Sequence, residues 1–151
     1  VVAGIVVFGI AAGLQALALH RTPPFFTNAY FLALTNLGIV IFAGTVAWAV
    51  SQRHNTQWHR RLMLGATILL MEPALGRLLP MPLLGDAGEW LVLAIQLATL
   101  AILARHDRSV SSAVHPATLS AAAIVIFSHV AVTALALLPA FEALANHIAG
   151  V

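Results

Sequence analysis

The chain has no cysteine and no lysine, and only five acidic residues in 151 positions. Without thiols there is no disulfide, no iron–sulfur cluster and no thiolate metal site. Its seven basic residues are all arginine and form no long run, so nothing offers a footprint for nucleic acid. Charged residues make up 8% of the chain, against about 25% in soluble globular domains. That scarcity argues against a water-soluble fold. What the chain does have is apolar surface: 61% of residues are hydrophobic and the mean hydropathy is +0.97.

Five apolar spans stand out, at residues 1–19, 28–51, 58–79, 88–104 and 116–138. Most approach or exceed the roughly 18–20 residues that cross a bilayer. Hydrocarbon gives backbone groups no partner, so such spans must be helical, and they lack the short alternating pattern of a barrel. The expected fold is therefore all-α, an integral membrane bundle of about five transmembrane helices in a single domain. Breakers mark the connections: Pro23 and Pro24 after the first span, Pro80 and Pro82 after the third, and His115-Pro116 opening the fifth. A short helix over 140–149 is expected to lie on the outer surface, its apolar positions Phe141, Leu144, Ala145 and Ile148 on one side. The opening at Val1, inside an apolar run, predicts further residues upstream.

Charge sets the expected orientation. The loops at 52–58 and 105–115, with Arg60 and Arg61 just beyond the first, carry most of the arginines, whereas Asp86 and Glu89 lie after the third span. The positive-inside rule then makes 52–58 and 105–115 cytoplasmic. Trp48 and Trp58 flank that side, while Tyr30 and Trp90 stand at the opposite ends, as an aromatic belt requires.

Depth picks out a candidate site. Counting from His59 and His115 at ~1.5 Å per residue puts Glu72 roughly 20 Å into its span and His129 roughly 21 Å into its own. By the same count Thr35 and Asn36 lie near 24–26 Å and Arg77 near 27 Å. Polar groups from three spans thus share one layer, and ionisable groups in a membrane call for a reason. Glu72 is expected to pair with His129 or Asn36, and Arg77 to reach outer headgroups or Glu89. The bland reading is that Thr35, Asn36, Gln96 and even Glu72 and His129 serve as interhelical hydrogen-bond glue. Pro73 removes a donor to the Leu69 carbonyl and bends any wheel drawn through Glu72. Gly9 and Gly13 form a small-xxx-small face suited to close packing within the bundle or against a partner.

Seven histidines in so apolar a chain raise the question of haem. His115 and His129 fall on nearly one face of the fifth span, and His59 stands at the level of His115. A b-type haem held by His59 and His115 is one expectation, with His129 a further candidate ligand. The loop histidines His54, His59, His106 and His115 match no compact metal motif, and no metal site is predicted. No nucleophile elbow frames Ser120 or Ser128, so a hydrolase is not expected.

The stretch His59-Arg-Arg-Leu-Met with Glu72-Pro-Ala-Leu-Gly-Arg77, then His115-Pro-Ala-Thr-Leu and Ser128-His129, resembles a group of bacterial multi-pass membrane proteins. A looser similarity runs to b-type membrane cytochromes. The resemblance implies a bacterial inner-membrane location and marks His59, Glu72, Arg77, His115 and His129; it implies no activity. The functional expectations are an intramembrane His/Glu site for proton or electron relay, an accessory subunit of a homo-oligomer or larger membrane complex, or a small transporter. An enzymatic role is the weaker expectation.

Overall fold

The computed structural model describes residues 2–19, 21–23, 26–85 and 87–150. His20, Pro24 and Asp86 lie outside the described residues. The described chain is helical throughout: α1 (Val2–Ala18), α2 (Asn28–Ser51), α3 (Thr56–Leu69), α4 (Met71–Leu78), α5 (Met81–Leu84), α6 (Ala87–Ser111), α7 (Pro116–Ala136) and α8 (Pro139–Ala149). Three of these, α2, α6 and α7, are long and apolar enough to cross a membrane. Apolar α1 falls just short of that length.

Two of the expected spans take a different form. The third is not one helix: the ladder is interrupted at Leu70, leaving α3 with 14 residues and α4 with 8. Pro73 supplies the reason, because it has no N–H to give to Leu69, four residues back. Leu70 itself keeps right-handed backbone angles (φ −74°, ψ −8°), so the chain continues in the same sense across the gap. The fourth helix overruns its apolar part, and residues 105–111 are helical rather than loop. Ser112 then stops it with a left-handed φ of 61°. The connections on the arginine-rich side shrink to residues 52–55 and 112–115, and Arg60, Arg61, Arg105 and Arg108 lie on helices.

The chain divides into two compact units, residues 1–43 with 128–151, and residues 44–127. In the first unit α1 lies so close to α2 that a Cβ on Gly9 would collide with Ile39, and one on Gly13 would come within 2.8 Å of Thr35 Oγ1. Small residues therefore fix this approach. Helix α8 folds onto the same unit: Ala145 and Ala149 are buried with Leu17, Ala29 and Leu32. Asn28 Nδ2 also donates to Asn146 Oδ1 at 3.1 Å. Tyr30, Ala33 and Val132 form a neighbouring buried group.

In the second unit α6 packs against α3, α4 and α5, and α7 joins through Gly65. A Cβ on Gly65 would come 2.7 Å from that of Ala121, so α3 and the first half of α7 nearly touch. Asn55 starts α3 by accepting the Trp58 N–H, which satisfies one orphan donor of the first turn. Helix α6 buries Gly88, Val92, Leu93, Gln96 and Leu100 along one face, and Asp107 two turns further on.

Candidate functional site

Glu72 stands in the first turn of α4, directly after the break, and is half-buried. An acid belongs at a helix start, where free N–H groups concentrate positive charge. Among the described residues no hydrogen bond or salt bridge holds its carboxylate. Helices α4 and α6 pack together and bring Glu89, in the first turn of α6, within electrostatic range of Glu72. The break is served from the same helix: the Gln96 side chain donates to the Ile68 carbonyl at 3.0 Å, in fully buried surroundings. Arg77 closes α4 on its exposed side, in the last turn, where a cation suits the unpaired carbonyls.

A second polar centre lies at the other end of α3 and α6. Asp107 is fully buried, beyond the apolar stretch that ends at Ala104. Its Oδ1 takes the Arg61 guanidinium at 2.5 and 3.1 Å. Its Oδ2 accepts from Thr118 Oγ1 at 2.6 Å and from the His115 backbone N–H at 3.1 Å. One carboxylate thereby ties α3, the end of α6 and the start of α7. The Arg61 hydrogen bonds hold it well below the usual carboxylate range against the opposing effect of burial, with Thr118 and the His115 N–H adding to the same effect. Arg61 is braced in turn by Gln57, through both its backbone and side-chain oxygens. Nothing in the sequence paired Arg61 with Asp107, 46 residues away. The available signal was that Asp107 is the sole acid among the arginines of 52–61 and 105–108.

The remaining sequence-marked residues divide by what they bond. Thr35 Oγ1 donates to Phe31 O at 2.8 Å and Asn36 Nδ2 to Leu32 O at 2.9 Å, each within its own helix. His129 is buried on α7, beside buried Ser128, in the first unit, while Glu72 belongs to the second. His59 Nδ1 lies 2.7 Å from the Ala49 carbonyl, an anchor that leaves Nε2 for other use. His115 is held the opposite way, since its Nδ1 accepts the Ala117 N–H at 3.1 Å. That contact places the proton of the neutral ring on Nε2, so in this arrangement His115 offers a donor there rather than a lone pair for iron. Its ring stands edge-on to Trp58 at 5.8 Å, and Trp58 packs on Trp48 at 5.8 Å. Among the described residues, no three His, Asp or Glu side chains gather closely enough to hold a metal ion.

No family model, curated protein or solved structure matches the chain. The functional reading therefore stands on the residues themselves.

Proposed function

We propose that this chain is a multi-pass protein of a bacterial inner membrane, with five membrane segments, in which Glu72 and His129 each take up and release protons in a relay across the membrane. The observation that carries the reading is Glu72 itself: a half-buried carboxylate, beside a break in an apolar segment, that no described residue binds. Ionisable groups in such segments mark proton and ion paths, and interrupted helices are where membrane proteins place them. Arg77 is an interfacial anchor and takes no part in transfer.

The test is proton flux in liposomes loaded with a pH-sensitive dye. Glu72→Gln and His129→Ala are expected to abolish flux, and Arg77→Gln to leave it intact. Flux unchanged in Glu72→Gln would end the proposal.

A second reading, an accessory subunit of a larger membrane complex, is favoured by one observation. Thr35, Asn36 and Gln96 all spend their side chains on backbone carbonyls, as structural residues do. Purification from native membranes as a stable assembly with other chains, without flux by the isolated protein, would favour it. An electron-relay variant with b-type haem requires His115 to give up the Ala117 N–H. A Soret band in gently purified protein, lost in His59→Ala, is its signature.

A further inference from the structure

We propose that the second unit carries a site for one anionic phospholipid, with its phosphate at Arg108 and Arg105 and an acyl chain in the groove between α6 and α7. This rests on the membrane location of the chain and not on Glu72.

The groove is apolar and open along one side, about 190 Å³ in volume. Leu97, Leu100, Ala101 and Ala104 of α6 form one wall, and Leu119 and Ala122 of α7 the other, with Thr118, whose hydroxyl is taken by Asp107, at the α7 end. The alanines are what make it: larger side chains at 101, 104 and 122 would fill the space. It extends about 10 Å along α6, the length of several methylene groups. Leu97, Ala101, Ala104 and Arg108 recur at intervals of four, three and four, so Arg108 lies within ~20° of the line through the groove. Arg105 flanks it, ~80° around the helix. Both arginines are exposed.

Charge points to an anion. Arg61 is consumed by Asp107, and Asp107 by Arg61, Thr118 and the His115 N–H. No other acid occurs between residues 90 and 141, so Arg105 and Arg108 have no carboxylate nearby in sequence to neutralise them. The Trp48–Trp58–His115 ring cluster belongs to the same end of the unit, where an aromatic belt stands at headgroup level. A cationic head joined to an apolar slot fits an amphiphile, and neither a soluble anion nor a protein segment needs both halves.

The purified chain in neutral detergent is heated with added phosphatidylglycerol, phosphatidylcholine or inorganic phosphate. Phosphatidylglycerol is expected to raise the melting temperature, and the other two to leave it unchanged. Apparent affinity for phosphatidylglycerol should fall about tenfold or more in Arg105→Gln/Arg108→Gln, given roughly one kcal/mol for each arginine at a charged surface. It should fall similarly in Ala101→Leu/Ala104→Leu, which closes the slot without touching charge. Arg53→Gln/Arg60→Gln serves as the control and should retain it. Equal shifts with phosphatidylcholine, a shift with phosphate alone, or loss only in the control pair would each overturn the site. Native mass spectrometry counting retained lipid gives the same readout for any variant that melts too low to compare.

Discussion

Asp107 takes donors from Arg61, Thr118 and the His115 backbone, and its value comes from position rather than type. A fully buried carboxylate is costly unless every lone pair is used, and here three separate segments supply the donors. Asp107→Asn is expected to lower stability by about 3 kcal/mol, because it strands the Arg61 guanidinium. Denaturant unfolding in a fixed detergent measures this. The pH dependence follows from a folded-state value held below the unfolded one. An unfolded aspartate titrates at about 3.9, so the stabilisation is complete at neutral pH and fades only as pH falls below about 4. Wild type and Asp107→Asn should thus differ by a constant amount from pH 7 to pH 5 and converge in stronger acid. The sequence offered Glu72 and His129 as exceptional because hydropathy isolates them. It hid Asp107, which looks like an ordinary loop acid until the fold brings Arg61 to it.

Elements show the same split between what pattern reveals and what it conceals. The fifth span is continuous in sequence and continuous as α7, since Pro116 sits at its start, where no N–H is missed. The third reads as one apolar run, yet breaks at Leu70, because proline acts through a lost hydrogen bond that hydropathy does not register. Pro73→Ala should restore the donor to Leu69, slow amide exchange across residues 70–73, and raise stability by about 1–3 kcal/mol. Unaltered exchange there would mean that something other than the proline divides α3 from α4. The small-residue face of Gly9 and Gly13 was legible as a contact, but only the fold shows Ile39 and Thr35 opposite it. Gly65 makes a sharper test: Gly65→Ala places two methyls 2.7 Å apart against Ala121. A loss of about 1–3 kcal/mol is expected, recovered in part by adding Ala121→Gly. A purely additive double variant would remove the contact from the account.

For the whole molecule, composition alone foretold an all-helical chain, and α2, α6 and α7 have the length and apolarity for a membrane. The five-segment topology is open to direct test because the chain has no native cysteine. Single cysteines at Asn55 and Ser112 should react with an impermeant maleimide only in inside-out vesicles, and one at Gly85 only in intact cells. Labelling of all three from one side would discard the five-segment arrangement. What no pattern could supply is how segments fasten to one another. Helices α3 and α6 are joined twice, by Arg61 to Asp107 and by Ile68 to Gln96, with the two fasteners about two turns apart along α3. Two rivets forbid both sliding and swivelling, so that pair acts as a single strut. The strut ends at Leu70, and Glu72 stands just past it, in the first turn of the short helix α4.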